Sequence, residues 1–146
     1  MLNKGVVVYL LFIILIVVGC SKQNINDFND IRQTTLDYIE GWYSGDVVRM
    51  ERALHPNFIK RIFINPNTEN GVLGEITKEQ MLNRTKAGGG KLVPKDTYKI
   101  ELSILDINNN VATVMTKSEY IDYLHLAKIN NKWVIINVLW DFIKNK

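Results

Sequence analysis

The pattern of apolar positions predicts helices in the first part of the chain. Between residues 28 and 42, mostly apolar side chains recur every three or four positions, the spacing of one helix face: Phe28, Ile31, Thr35, Tyr38, Ile39 and Trp42. Asp27 or Asn29 suits the N-cap of this helix, and Gly45 suits its end after Ser44. The first helix is therefore expected to end near residue 44.

Two shorter helices are predicted next, with one strand between them. Asp46 suits the N-cap of a helix that carries Val47, Met50 and Leu54 on one side and ends at the His55-Pro56 step. Residues 58–64 alternate as a strand, and residues 65–71 form an Asn- and Pro-rich loop. Thr77 followed by Gln80 is a capping-box pattern, which predicts a third helix through about Lys86.

The pattern changes to strands after residue 96. Gly88-Gly89-Gly90 and Pro94 predict a flexible loop, and four apolar runs follow it. The predicted strands are Thr97–Leu105, Val111–Tyr120, Ile121–Ile129 and Lys132–Phe142. Asparagines separate the runs at 108–110 and 130–131, and Asn tolerates the left-handed backbone of tight turns, so three hairpins are expected. Helices first and a strand meander afterwards predict an α+β domain with helices on one sheet face.

The last two strands carry apolar residues on both faces. Trp133, Ile135 and Leu139 alternate with Val134, Ile136, Val138 and Trp140. Helices cover only one face of such a sheet, so the other face is expected to be covered as well. A homodimer through the outer sheet face is the preferred interpretation.

The first twenty residues have the layout of an export signal. Lys4 precedes thirteen unbroken apolar residues, 6–18, and the run ends at Gly19-Cys20. A helix needs about 20 apolar residues to span a bilayer, so this run is short for a permanent anchor. Residues 1–19 are therefore interpreted as a signal peptide, 20–27 as a tether and 28–146 as one domain.

Composition narrows the function classes. The formal net charge is +3, and the basic residues are scattered, so no nucleic-acid interface is expected. The densest basic pair, Lys60-Arg61, is interpreted as a solvated strand end. Cys20 is the single cysteine, which leaves an exported domain without a disulfide. The domain must therefore be stabilised by its core alone.

Four segments of the chain resemble known families. Val17-Val18-Gly19-Cys20 resembles the lipobox of bacterial lipoproteins, which implies lipidation of Cys20 and an envelope protein anchored to the membrane, facing the periplasm or the exterior. Residues 38–46, 54–61 and 123–140 resemble the putative lumazine-binding branch of the nuclear transport factor 2-like (NTF2-like) superfamily. That resemblance implies a cone-shaped α+β fold, with about three helices packed on a curved antiparallel sheet.

The resemblance also implies a conical apolar pocket in which relatives hold a carboxylate or a histidine. The eligible groups here are His55, His125, Asp122 and Asp141, with the hydroxyls of Tyr38, Tyr120 and Tyr123 as hydrogen-bond donors. His125 is the best catalytic candidate if its strand face, shared with Tyr123 and Ala127, lies inward. A helix-terminal role is the alternative for His55, and Asp122 and Asp141 are expected to be solvated. Two distant histidines make a poor metal site, and no cofactor is expected.

Aromatic residues suggest a ligand. Tyr38 and Trp42 are four positions apart and share a helix face that could stack on a flat ring, although core packing explains such a stripe too. The leading hypothesis is a non-catalytic pocket for a small aromatic or apolar molecule, with ligand contacts from these candidates: Tyr38, Trp42, His55, Tyr120, Tyr123, His125 and Trp140. The alternatives are an acid–base isomerase, cyclase or dehydratase using His125, and a structural adaptor that binds a protein in the envelope.

Overall fold

The computed structural model describes residues 25–64, 71–96 and 99–143. Within these ranges, helix α1 covers residues 25–44, α2 is Val47–Ala53 and α3 is Lys78–Lys86. The strands are β1 Leu54–Ile64, β2 Val72–Thr77, β3 Glu101–Asn108, β4 Val111–Lys117, β5 Tyr120–Ile129 and β6 Lys132–Phe142. The predicted signal peptide, Cys20 and most of the tether lie outside the described residues. None of the described helices has the length and apolar character needed to cross a membrane.

Local signals in the sequence set most helix ends. Gly45 follows α1 with a φ of 68°, and the Asp46 side chain accepts a hydrogen bond from the Arg49 N–H at the start of α2. The Thr77–Gln80 capping box begins α3, as predicted. The expected N-cap role of Asp27 and Asn29 is wrong, because both lie inside α1. Asp27 instead accepts hydrogen bonds from Lys128 and Trp133 of the β5–β6 hairpin.

The first half of the sheet differs from the prediction. α2 ends at Ala53, and β1 begins at once with Leu54, so the His55-Pro56 step lies in a strand. β2 was not predicted, since Gly74 interrupts its short apolar run. Antiparallel pairing with β1, as in Ile62 opposite Gly74, is what makes this segment a strand.

The sheet has six strands in the order β2-β1-β6-β5-β4-β3. β3 to β6 form the predicted meander of three hairpins, and the turn residues Asn109, Asn130 and Asn131 all have positive φ. β1 runs parallel to β6, so the sheet is mixed and not purely antiparallel. The helices pack on one face of this sheet, which confirms the predicted α+β class.

The core lies between the helices and the inner face of the sheet. It contains Tyr38 and Ile39 of α1, Met50 of α2 and the β5 residues Leu124 and Leu126, all almost fully buried. Full burial of one large apolar side chain contributes about 1.5–3 kcal/mol, so this layer is the main source of stability. Phe28, expected on the buried stripe, is 49% exposed, because the inner face of α1 is formed by Asp27 and Ile31 at that level.

The triple glycine is a close-packing element. Gly89–Leu92 forms a single 3₁₀ turn where a flexible loop was predicted. A β-carbon on Gly89 would overlap the Trp42 ring, and one on Gly90 would overlap the Trp42 backbone carbonyl. Only glycine therefore lets this turn approach α1 and cover Trp42.

Candidate functional site

A cavity of about 220 Å³ lies between the helices and the inner sheet face. Its wall is formed by α1, the strands β1, β2, β5 and β6, and α3. The lining residues are Tyr38, Ile39, Trp42, Lys60, Ile76, Met81, Arg84, Tyr120, Asp122 and Trp140. The wall is largely apolar, and its polar groups are few and close together, which is the usual composition of a ligand site.

Strand alternation places the polar groups inside. Asp122 lies directly opposite Trp140 in the β5–β6 pair, and Lys60 lies opposite Val138 in the parallel β1–β6 pair. Side chains at every second position share a face, so Phe58 and Lys60 point inward together, as do Asp122 and Leu124. The two charged residues therefore approach one another from different strands.

Lys60 and Asp122 form a buried ion pair on the cavity wall. The Nζ of Lys60 is 2.7 Å from Oδ1 of Asp122, and the two residues are 8% and 1% exposed. The same ammonium donates to the Tyr38 hydroxyl at 2.7 Å. Burial lowers the pKa of Lys60, and the negative charge of Asp122 opposes that effect. Burial also raises the pKa of Tyr38, and the Asp122 charge adds to this rise.

Aromatic rings surround this group. The Lys60 Nζ lies 4.7 Å from the ring centroid of Trp140 and 5.4 Å from that of Tyr38, so the ammonium makes cation–π contacts with both. Tyr120 meets Trp140 edge to face, with centroids 5.2 Å apart. Burial, followed by a hydrogen bond to Glu119, raises the pKa of the Tyr120 hydroxyl. Both phenols on this wall are therefore neutral at physiological pH.

Two buried polar atoms have no hydrogen-bond partner among the described residues: the Nε1 of Trp140 and the Oγ1 of Thr116. Thr116, Asp122 and Trp140 are consecutive cross-strand neighbours, so they form one row across the inner face. Trp140 also lines the cavity. A buried tryptophan N–H normally finds an acceptor, so one residue of the cavity wall carries an unsatisfied donor.

Four of the predicted ligand contacts lie on this wall: Tyr38, Trp42, Tyr120 and Trp140. The cross-strand pairing Tyr120–Phe142 and Asp122–Trp140 brings the β5 and β6 members together. Trp42 joins them from α1, under the Gly89–Leu92 turn.

The other three predicted contacts lie elsewhere. Tyr123 and His125 alternate with the inward residues of β5, so they lie on the outer face, where the His125 ring contacts Asn137 at 3.1 Å. The condition on which His125 was a catalytic candidate, an inward strand face, is not met, because the leucines 124 and 126 occupy the inner positions. His55 lies in β1, where its Nδ1 accepts a hydrogen bond from the Asn57 N–H and not from a helix end.

Sequence reasoning misjudged Lys60 and Asp122, two of the three charged residues that line the cavity. Both were expected to be solvated, and both are buried. Alternation was a usable signal for Lys60, which stands between Phe58 and Ile62 on one strand face. For Asp122 the signal was ambiguous, because both faces of β5 carry apolar residues. Asp141 is exposed, as expected.

A second depression is larger but is a weaker candidate. It measures about 490 Å³, lies beside α1 and the β5–β6 turn, and is wide open to solvent. Its main buried charge, Asp37, is already paired with Arg49 and Arg52. Within the described ranges no cluster of His, Cys, Asp and Glu is suited to a metal ion. The enclosed cavity beside Lys60 is therefore the candidate functional site.

Comparison with solved structures shows the fold alone. An NTF2-like protein of unknown function from Shewanella baltica OS155 is 13% identical, with a TM-score of 0.63 over 83% of this chain and 97% of that one. An NTF2-like protein of unknown function from Methylobacillus flagellatus KT is 17% identical, with a TM-score of 0.65 over 82% of this chain and 94% of that one. No protein with a curated description matches the chain in sequence.

Family membership follows from a match over most of the chain. The family described as "Putative lumazine-binding" matches residues 26–141, which include every helix and strand that surrounds the cavity. The structural neighbours show that the chain has an NTF2-like fold. The chain therefore belongs to the putative lumazine-binding family.

Proposed function

We propose that the enclosed cavity binds a small aromatic or apolar molecule and that this binding, without catalysis, is the activity of the protein. The observation that carries the proposal is the cavity of about 220 Å³, whose wall carries the rings of Trp42, Tyr120 and Trp140 around one buried ion pair. A largely apolar wall with a few convergent polar groups is the usual composition of a site for a small molecule.

The size and the lining of the cavity limit the ligand. A dry cavity of roughly 150 Å³ accepts benzene, and drug-sized ligands occupy roughly 300–1,000 Å³. At about 220 Å³ this cavity suits one ring or two fused rings. Trp42, Tyr120 and Trp140 offer faces and edges for a flat ring. The family description names lumazine, a flat two-ring heterocycle with carbonyl acceptors, and a ligand of that shape fits these limits.

The test is ligand-observed NMR on the full-length protein in detergent, with lumazine and a panel of one- and two-ring arenes. Trp140→Phe replaces the two-ring indole by a single ring, and we expect it to weaken the binding of flat two-ring ligands by roughly 2- to 13-fold, the equivalent of one aromatic contact. Trp133→Phe is the matched control, because the Trp133 N–H donates to Asp27 outside the cavity. Absence of binding across the panel, with no ligand retained in native mass spectrometry, would contradict the proposal.

We also propose that Cys20 is lipidated and holds the domain at the envelope membrane. The lipobox-like residues 17–20 support this, and stable anchoring takes more than one acyl chain. Metabolic labelling with an alkynyl palmitate should mark the wild type, and Cys20→Ser should lose both the label and membrane fractionation. Unchanged fractionation of Cys20→Ser would contradict lipid anchoring.

The position of Asp122 favours acid–base chemistry as a second candidate function. Its carboxylate is buried in the cavity beside the Tyr38 hydroxyl, a geometry in which a base could remove a proton next to a ligand carbonyl. His125, on the outer face, is not proposed as the base. Deuterium exchange at the α-carbon of 2-tetralone would be accelerated by the wild type and not by Asp122→Asn, whereas His125→Asn would behave as the wild type.

A further inference from the structure

We infer that the natural ligand is an aromatic or heteroaromatic anion whose carboxylate, or a comparable acidic group, pairs with Arg84 at the cavity mouth. This inference rests on the proposed function, because it names the ligand class of the same cavity. Arg84 belongs to the last turn of α3, lines the cavity and remains exposed. The site therefore has a charged group on its solvent side.

Among the charged residues of the cavity wall, the positive charge of Arg84 is the one without a carboxylate partner in the described ranges. The cavity-lining charges are Lys60, Asp122 and Arg84, and the first two neutralise one another at 2.7 Å. Lys60 is further engaged by the Tyr38 hydroxyl and the Trp140 ring. Arg84 forms no ion pair with any carboxylate in the described ranges. A positive potential therefore remains at the mouth, and it favours an anion.

Of the five arginines in the described ranges, three are paired with a carboxylate, and Arg32 and Arg84 are not. Arg49, Arg52 and Arg61 each hold a carboxylate at 3.0 Å or less. The other acid near this wall, Glu119, is hydrogen-bonded to Tyr120. A guanidinium presents a rigid fork of donors that matches a carboxylate in two-point geometry, so a carboxylate-bearing ligand suits Arg84 better than a neutral one.

The arrangement also gives the ligand a direction. Its ring would lie inside against Trp42 and Trp140, and its anionic group would face solvent at Arg84. An anion at the mouth keeps part of its hydration, whereas one beside the buried Lys60 would be fully desolvated. The outer position is therefore the favourable one for the charge.

The test compares three indole ligands with two-carbon tails whose terminal group is anionic, neutral or cationic: indole-3-acetate, tryptophol and tryptamine. Binding is measured on the full-length protein in detergent by titration NMR at low salt. We expect indole-3-acetate to bind at least tenfold more tightly than tryptophol, and tryptamine to bind more weakly than both. In Arg84→Gln, the affinities for indole-3-acetate and tryptophol should differ by no more than twofold. Arg84→Lys should keep part of the difference in affinity, since lysine retains the positive charge but lacks the two-point donor geometry of the guanidinium.

Arg32→Gln is the matched control, because Arg32 is an exposed arginine of α1 outside the cavity, and it should leave all three affinities unchanged. A second readout needs no variant: raising the salt concentration should weaken the binding of indole-3-acetate but not that of tryptophol. Equal affinities of the wild type for indole-3-acetate and tryptophol would overturn the anion inference and leave the proposed function standing. Absence of binding by all three indoles would overturn the anion inference, and the proposed function would then be decided by the lumazine and arene panel.

Discussion

At the residue scale, the decisive feature is a lysine and an aspartate buried on the wall of an aromatic cavity. Removing two charges from water costs several kcal/mol for each ion, and their attraction seldom repays this fully. Here the ammonium is also satisfied by a hydroxyl and two rings, so the cost is reduced. The burial of Lys60 and that of Asp122 therefore depend on each other, and together the two residues give the cavity wall its polar surface.

This dependence predicts a specific pattern in a double-mutant cycle. Lys60→Met or Asp122→Leu alone should lower the free energy of unfolding by about 3–5 kcal/mol, because each leaves an unpaired buried charge. The double variant should lose clearly less than the sum of the two, as measured by urea denaturation. Glu75→Gln, which breaks the exposed Arg61 pair, is the control and should cost about 0–1 kcal/mol. Additive single effects would contradict the coupling.

At the element scale, α1 is tied to its neighbours by two carboxylates that do not line the cavity. Asp37 accepts hydrogen bonds from Arg49 and Arg52 of α2, and Asp27 accepts them from the β5–β6 hairpin. The same helix carries Tyr38 and Trp42 to the cavity wall. Anchoring this helix near its start and in its second half therefore helps to set the position of the two rings.

The Asp37 contacts predict a dependence of stability on acid pH. Hydrogen bonds from Arg52, opposed by burial and helped by Arg49 and Gln33, hold the pKa of Asp37 below its ordinary value of 3.8. Above that value the carboxylate is charged in both states and its stabilisation is complete. As the pH falls through and below 3.8, the unfolded chain takes up the proton first, so stability is lost.

Denaturation midpoints measured between about pH 5 and pH 3 check this sign. The wild type should lose stability over the interval, and Asp37→Asn, which starts less stable, should show a shallower loss. Asp30→Asn changes an exposed carboxylate of the same helix and should keep the wild-type slope. A wild-type slope in Asp37→Asn would show that this carboxylate does not carry the acid sensitivity.

At the scale of the whole molecule, the sheet has one covered and one uncovered face. The exposed outer face carries Tyr123 opposite Leu139 at its centre, 41% and 47% exposed, with Ile136 nearby. Beside them a polar line runs from His125 through Asn137 to Arg61. Exposed apolar side chains grouped on one sheet face are typical of an interaction surface. We propose that a second copy of the chain covers it.

The proposal predicts a homodimer that a charge on this face disrupts. Sedimentation of the full-length protein in density-matched detergent should give twice the chain mass, and Leu139→Glu should give the monomer. Leu92→Glu is the control, because Leu92 is 85% exposed on the turn above Trp42, away from the sheet face. A monomeric wild type would contradict the homodimer and favour the adaptor hypothesis, in which this face binds a different protein.

Much of the fold was readable because its signals are local. The asparagine turns, the Thr77–Gln80 capping box and the Gly45 helix end each depend on residues within one turn of one another. β2 was missed because its strand state comes from pairing with β1, and Phe28 was misplaced because Asp27 finds partners on a distant hairpin. Where the determining contact is remote, the local pattern is insufficient.

The sequence by itself determined the α+β class, the order of helices and hairpins and most of the aromatic residues of the site. It could do so because periodicity, helix caps and left-handed turns are short-range properties of the chain. Only the tertiary structure decided which face of β5 lies inward, and with it whether Asp122 or His125 belongs to the cavity. Both strand faces carry apolar residues, so alternation alone is ambiguous there. The choice is made by the packing of Leu124 and Leu126 under the helices and by the pairing of Asp122 with Lys60 from a strand that is 62 residues away in the sequence.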